Sequence, residues 1–378
     1  MRLKTIHHKS IQQTKLLDLN RLLLALIAGI ISATLLAPST VVAKTFRFDY
    51  HKELPVGGGA SLKIHNQGGN VTVVGDKLLD HIIIDAVKTV HAVDETAARE
   101  VADHIELRFS TRDDDAVLET LLEEVSERHR SFWERLVGAD DDWFGAVDYT
   151  ISVPVNTSVS LNNSSGDIEI RGVSGRLDIS LESGAVQINQ VVGSVSLDVS
   201  SGTIELKDLE ADVELTSTTA DLTMTAITGD VTVHGGAGKT VGDNIKGSVT
   251  IIQTSGDITL GSLNGDARLK ATSGDLSIQQ DSGALDIFTH TGKVQVNTEL
   301  FSERDYSVET LSGSISFAFP DNAGAKVLLS TLSGDIDTKG LPMEVGSFTR
   351  REISGSVGAG GAQVSLKSDS GDIRLGWF

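Results

Sequence analysis

Along residues 159–378 apolar and polar positions alternate in short bursts that return every nine residues. Each burst sets two apolar residues around one polar residue. Examples are Ile168/Ile170, Leu177/Ile179, Val186/Ile188, Val195/Leu197, Ile204/Leu206, Val213/Leu215 and Leu222/Met224. The pattern resumes at Ile258/Leu260, Leu276/Ile278, Leu285/Ile287 and Val294/Val296. Alternation over so few residues predicts short strands with one buried face. A third apolar residue often follows three positions later, as at Val173 and Leu263, and is expected to tuck inward at a bend.

Between the bursts stands a Ser/Thr-Gly or Gly-Asp pair. Its glycine falls at 166, 175, 184, 193 and 202. The register passes through Ala211-Asp212 and Ala220-Asp221, returns at Gly229-Asp230, and reads as interrupted by a short insertion around Gly235 to Gly242. It continues at Gly247, Gly256, Gly265, Gly274, Gly283 and Gly292, then lengthens to steps of 21 at Gly313, Gly334 and Gly355, with a last Ser370-Gly371-Asp372. Glycine takes positive φ without steric cost, and Ser and Asp side chains bond nearby amides. The residues expected to build corners are therefore Gly166, Asp167, Gly256, Asp257, Gly274, Asp275, Gly334, Asp335, Gly371 and Asp372.

One strand and one bend cannot bury an apolar face alone, but stacked coils can. The predicted fold is mainly β: an elongated single-chain β-solenoid, or β-helix, with a small N-terminal α+β cap. Coils of about 18–21 residues, or of about 27, all fit the beat.

Residues 44–158 follow another rhythm. Phe46–Tyr50, Ala60–His65, Val71–Val74, His81–Val90, Ile105–Phe109 and Val147–Val153 read as strands, with glycine pairs and Pro154 between them. An amphipathic helix is predicted over 115–137 from Leu118, Leu121, Leu122, Val125, Phe132, Trp133 and Leu136, with an Asp113–Asp115 run at its start. A weaker helix is predicted over Glu95–His104, with Asp94 as N-cap. This segment reads as a cap over the open end of the solenoid, and the helix at 115–137 alternatively as a docking element for a partner.

Composition supports an array rather than a compact globule: 38 glycines, 5 prolines and only 4% aromatic residues among 378. Without cysteine there is no disulfide framework, thiolate metal site or cysteine nucleophile. Basic residues Arg2 to Arg21, an apolar run from Leu22 to Ala37, and Val41-Val42-Ala43 read as a secretory signal, residues 1–43, cleaved after Ala43. No second apolar run follows, so the mature chain is expected to have no membrane span. Residues 1–43 hold five of the 32 basic and one of the 52 acidic residues, so 44–378 has 27 against 51, a net charge of −24. Such a surface repels nucleic acid and anionic lipid.

The repeats Ser165-Gly166-Asp167-Ile168-Glu169-Ile170, Ser255-Gly256-Asp257-Ile258, Ser273-Gly274-Asp275-Leu276 and Ser333-Gly334-Asp335-Ile336 resemble the bacterial "putative adhesin" domain family, of unknown function. The head domain of autotransporter-type adhesins is similar too. The lead-in Val147 to Pro154, followed by Val159-Ser160-Leu161, matches that family's entry into its repeats, so the likeness covers Val147 to Phe378. It implies a β-solenoid envelope protein and brings no catalytic residues. The 115–137 segment looks like an insertion against that pattern.

Candidate chemistry is sparse. The nine-residue beat is similar to calcium-binding β-rolls, but each unit lacks their second Gly-x-Asp. A β-helix glycosidase would use an irregular pair of carboxylates, whereas Asp167, Asp257, Asp275 and Asp335 repeat regularly. The eight histidines from His51 to His290 show no metal-ligand spacing. Gly236-Ala237-Gly238-Lys239-Thr240 ends like a phosphate loop but has Val233 where the first glycine belongs. Trp377-Phe378 ends the chain as membrane barrels end, yet the strands are too short and ring-poor for one, and the two rings are expected to plug the last coil. The reading is a non-enzymatic exported protein, periplasmic, secreted or at the cell surface. It would use no cofactor and bind an envelope glycan or protein through polar solenoid faces. The alternatives are a glycan-processing β-helix enzyme and a periplasmic envelope-stress accessory protein with a protein partner.

Overall fold

The computed structural model describes residues 44–57, 59–112, 114–122, 145–338 and 340–378. Thr45–Phe378 forms one compact unit. It is mainly β: a solenoid of stacked parallel strands with one short helix among the described residues.

The N-terminal elements are β1 (Lys44–Pro55), β2 (Ser61–Asn66), β3 (Val71–Asp76), β4 (His81–Ala92) and α1 (Glu95–His104). There follow β5 (Ile105–Arg112), β6 (Asp115–Leu122), β7 (Ala146–Pro154), β8 (Ser158–Ser165) and β9 (Ile168–Arg171). The central strands are β10 (Ser174–Asn189), β11 (Val192–Thr228), β12 (Val231–Ala237), β13 (Thr240–Lys246) and β14 (Val249–Ser255). Then come β15 (Ile258–Asn264), β16 (Ala267–Ser273), β17 (Leu276–Ser282), β18 (Leu285–Thr291) and β19 (Val294–Thr298).

Register fixes the coil. Leu177 pairs with Val195 and Val186 with Ile204, both 18 residues on. Val249 pairs with Ala267 and Ile258 with Leu276 at the same offset. Each coil is thus two nine-residue units, two strands and two Gly corners. One stack, here the b sheet, carries Leu177, Val195, Val213, Val231 and Val249. The other, the a sheet, carries Ile168, Val186, Ile204, Leu222 and Ile258. The inward pair of each strand from β8 to β19 is buried, and the core is mostly a column of Val, Ile and Leu.

A third bend lies at the end of six successive a strands, from β9 to β15. Gly172, Gln190, Asp208, Ala226, Asn244 and Ser262, again 18 apart, have φ between 49° and 69°. Each stands just before a buried apolar residue: Val173, Val191, Leu209, Ile227, Ile245 and Leu263. The left-handed residue breaks the strand alternation, so its successor points into the core.

No insertion interrupts the beat near 235–242. Gly238, with φ 136°, occupies the corner nine residues after Gly229, and Lys239 stands there in place of Asp. The Gly236–Thr240 run is this corner, so it has no helix to cradle a phosphate. The step of 21 is a coil of 18 with extra residues at its bend, since Leu285 pairs with Tyr306. Gly355 is no corner; it lies in an antiparallel hairpin opposite Val345.

Both ends are interlocked. The C-terminal strands are β20 (Asp305–Ser312), β21 (Ile315–Phe319), β22 (Ala325–Ser333), β23 (Ile336–Asp337), β24 (Met343–Phe348), β25 (Glu352–Val357), β26 (Ala362–Ser370) and β27 (Ile373–Trp377). β26 pairs parallel with both β20 and β22, and β27 with both β21 and β23. The last coil in sequence therefore lies inside the stack. Trp377 and Phe378 accordingly do not plug an end; they are 41% and 62% exposed. At the other end β2 lies between β6 and β8, and β3 between β7 and β9.

The N-terminal end is closed by β4, antiparallel to β7, by β5, antiparallel to β6, and by α1 between them. Asp94 caps α1 by accepting from Ala97 N at 2.9 Å. Ala97, Ala98, Val101 and Ala102 are buried against the core. The helix predicted over 115–137 is overturned in its first part: Asp115–Leu122 is strand β6. Its Ala116, Leu118 and Thr120 alternate inward, because β5 offers a ladder along all of β6 and β2 offers one along Asp115 to Glu119. Asp114 does not start a helix; its carboxylate accepts from Gly57 N at 2.9 Å. The remainder of that predicted helix, 123–137, and Asp140–Asp142 lie outside the described residues.

Candidate binding face

The corner residues fall into two ladders. Along one run Gly166, Gly184 and Gly202, then Ala220, Gly238, Gly256, Gly274 and Gly292, and beyond them Gly313, Gly371 and Gly334. A Cβ on nearly every one would fall on the carbonyl of its predecessor, so glycine is needed for backbone-to-backbone stacking as well as for conformation. Gly166, Gly256 and Gly274 have φ of 111–125°. Gly334 and Gly371 are outside the left-handed range, and close approach alone requires them.

The aspartates bond across coils. Asp167 Oδ1 accepts from Ala185 N, Asp257 Oδ1 from Asp275 N and Asp372 Oδ1 from Asp335 N, each at 2.9 Å. Asp275 Oδ1 accepts from Lys293 N at 2.8 Å. These carboxylates do the work of corner posts. Among the described residues no cluster of three or more His, Asp or Glu is arranged to hold a metal ion.

A second set of corner residues carried no sequence signal beyond being polar at inward positions. Asn163 Nδ2 donates to the carbonyls of Gly69 and Ser165 at 3.0 Å. Gln253 Nε2 donates to Gly238 O at 2.6 Å and Ser255 O at 2.9 Å, while its Oε1 accepts from Thr240 Oγ1 at 2.8 Å. Gln280, Thr331 and Ser368 likewise donate to corner carbonyls. Gln253→Leu leaves one buried and two half-buried partners unmet and is expected to lower stability by about 2–3 kcal/mol. Urea denaturation checks this; an unchanged midpoint would mean that those groups find other partners. Tyr149, buried and bonded to Thr120 Oγ1 at 2.7 Å, belongs to the same interior polar set, and burial pushes its phenol up to about 12. Among the histidines, His51 is exposed, and Asp85 at 2.7 Å raises its imidazole above the ordinary value.

The two outer faces differ. On the b sheet the central outward row includes Asp178, Glu214, Arg268 and Asp286, with Arg268 and Asp286 paired at 3.4 Å. On the a sheet the matching row reads Thr223, Val241, Thr259, Ser277, Gln295 and Ser316. It holds no charge over six consecutive coils of an acidic chain. Neighbouring coils stand about 4.8 Å apart, so this row is a strip of hydroxyl and amide groups interrupted only by Val241. The strip ends at Arg374 and Asp337, 3.9 Å apart, in a cleft of about 720 Å³ that also holds Lys293, Arg350 and Phe348. Asp335 and Asp372 line this cleft as corner residues and are bonded as described above.

No helix among the described residues is long and apolar enough to cross a membrane. No curated protein matches the chain. Among solved structures, a "putative cell adhesion protein" from Clostridium sporogenes is 10% identical with a TM-score of 0.22, covering 88% of this chain and all of that one. A "putative adhesin" from Bacteroides fragilis is 13% identical with a TM-score of 0.25, over 89% of this chain and 98% of that one. A "putative lipid binding protein" from Parabacteroides distasonis is 10% identical with a TM-score of 0.29, over 86% and 96%. The Toastrack DUF4097 family matches residues 148–261 and 228–376, two overlapping spans that together take in the stacked coils, and the chain belongs to that family.

Proposed function

We propose that this is a non-enzymatic, exported cell-envelope protein that binds a neutral polymer, an envelope glycan, along the a face of its solenoid. The uncharged row from Thr223 to Ser316 carries the reading. A strip of hydroxyls and amides offers hydrogen bonds to a neutral chain without desolvating charge. The chain's acidity elsewhere keeps it soluble and off anionic surfaces. Export rests on the signal read in residues 1–43, and the adhesin likeness read from the repeats is consistent with this placement. The corner carboxylates are occupied by backbone amides, which supports binding over glycan hydrolysis.

Glycan-array and whole-cell binding by exported, purified protein, with and without calcium, tests this. The Thr259→Glu/Ser277→Glu variant is expected to weaken binding by at least about tenfold, or 1.4 kcal/mol, with an unchanged melting curve. Absence of binding by the native protein sinks the glycan reading and favours a periplasmic scaffold with a protein partner. Calcium-dependent binding would restore an ion to the account.

A further inference from the structure

The uncharged row of the a face gives way to charge at its C-terminal end. Ser316 is followed outward by Arg374 and then Asp337, because β27 stacks on β21 and β23 on β27. Beside that row the corner positions Lys293, Ser314, Asp372 and Asp335 stack in turn, joined by backbone bonds from Val294 N to Ser314 O, Ile315 N to Asp372 O and Ile373 N to Asp335 O. These two rows floor the cleft of about 720 Å³. Its wall is the turn after β24. Thr349 N donates to Glu352 O at 2.8 Å and Glu352 N to Thr349 Oγ1 at 2.9 Å, and this tight turn holds Phe348 and Arg350 at the cleft. Pockets that seat small molecules hold roughly 300–1,000 Å³, so the volume is that of a ligand site.

The charges of the cleft balance: Lys293, Arg350 and Arg374 stand against Asp335, Asp337 and Asp372. Arg374 faces Asp337, and Asp372 Oδ1 accepts from Asp335 N. Among the described residues the side chains of Lys293, Arg350 and Asp335 form no hydrogen bond or ion pair, so two donors and one acceptor stand open to the cleft. Phe348 beside them is 72% exposed.

We propose that this cleft seats one neutral pyranose, the terminal unit of the glycan held by the a-face strip. The inference deepens the proposed function and rests on it for the class of ligand. An anion would gain from the cations but lose against the carboxylates and the net charge of −20, and a cation would meet the basic groups. A neutral sugar uses both signs, since one hydroxyl donates to a carboxylate while it accepts from a guanidinium or ammonium group. The face of the Phe348 ring is partially negative, and the C–H bonds on one face of a pyranose fit against it. The unit is a terminal one because, among the described residues, no strand of the a sheet lies beyond β23.

Ligand-observed NMR titration of the exported, purified protein tests this, with glucose, galactose, mannose and N-acetylglucosamine offered as free sugars and as neutral hexasaccharides, and galacturonate as the charged comparison. The native protein is expected to bind at least one hexasaccharide, and its free sugar more weakly. Phe348→Ala and Arg350→Ala should each weaken the hexasaccharide by at least about tenfold and abolish binding of the free sugar. Melting curves should not change, because both side chains are exposed. Native affinity for the hexasaccharide in both cleft variants, with the loss confined to Thr259→Glu/Ser277→Glu, overturns the cleft and leaves the strip reading standing. A free sugar bound as tightly as its hexasaccharide, and lost in Phe348→Ala, supports the cleft and overturns the strip. Binding of galacturonate but of no neutral sugar overturns the proposal in favour of an anion site. A native protein that binds no member of the panel overturns it outright.

Discussion

Cutting the chain after Gly361 is expected to unfold residues 325–357 while the coils from 158 to 298 stay intact. In a simple solenoid, losing the last repeat exposes one layer and little else. Here the final residues are an inner layer. β26 lies between β20 and β22, and β27 between β21 and β23. Their removal takes out Val364, Leu366, Ile373 and Leu375, all nearly fully buried. Each is worth roughly 1.5–3 kcal/mol of burial. It also strips the β26 ladder from β22, which then keeps only its antiparallel pairing with β25, on which β24 in turn hangs. Hydrogen exchange read by mass spectrometry should show protection lost across 325–357. Protection retained in β22 would mean that the stack has closed up by one layer onto β20.

That interlock was not legible in the sequence, and the reason is physical. The beat specifies what each unit is, a strand with a glycine corner, and Ile168/Ile170 or Leu276/Ile278 show this locally. It does not specify which unit lies above which. Both corners of a coil carry the same Ser-Gly-Asp signature, so 18, 21 or 27 residues per coil fit equally until the register is seen. The third bend is legible only through the inward apolar residues that follow it, as at Val173 and Leu263; its own residues, Gln190, Asp208, Ala226, Asn244 and Ser262, share a backbone conformation and no side-chain type. The stretch from Asp115 was misread because Leu118, Leu121 and Leu122 satisfy a helical stripe, while the edges of β2 and β5 come from 50 residues upstream and from the strand next door. The neutral strip needs the coil length before it can be assembled. Only then do Thr223, Thr259, Ser277 and Gln295 fall on one face and Asp178, Glu214 and Asp286 on the other. Export is an expectation from residues 1–43, which lie outside the described residues.

Gly274→Ala is expected to destabilise the protein by about 2–4 kcal/mol, whereas Gly376→Ala should change stability by less than about 0.5 kcal/mol. The two glycines share a residue type and little else. Gly274 has φ 125°, a conformation costly for any residue with a Cβ, and an added methyl would fall on the Gly256 carbonyl of the coil below. The obstruction is backbone on backbone and cannot swing aside. A Cβ on Gly376 would meet nothing within 4 Å. The chain itself shows what relief costs. Ala211 and Ala220 occupy equivalent corners, and neither is among the residues of positive φ, so alanine is accepted there by a different turn. Ala220 makes that turn between Gly202 and Gly238, which keep φ of 135° and 136°, so Gly274 alone would have to leave φ 125° while Gly256 and Gly292 stay at 111° and 126°. The bond from Asp275 N to Asp257 Oδ1, 2.9 Å, would be strained on the way. Because each coil is coupled only to the next, a fault in the middle of the array also weakens the link between its halves. Urea unfolding of Gly274→Ala should therefore broaden as well as shift to lower concentration. A variant that unfolds at the native midpoint with native sharpness would show that corner 274 takes the turn of Ala220 without cost, and that the glycine repeat is required by conformation at few of its positions.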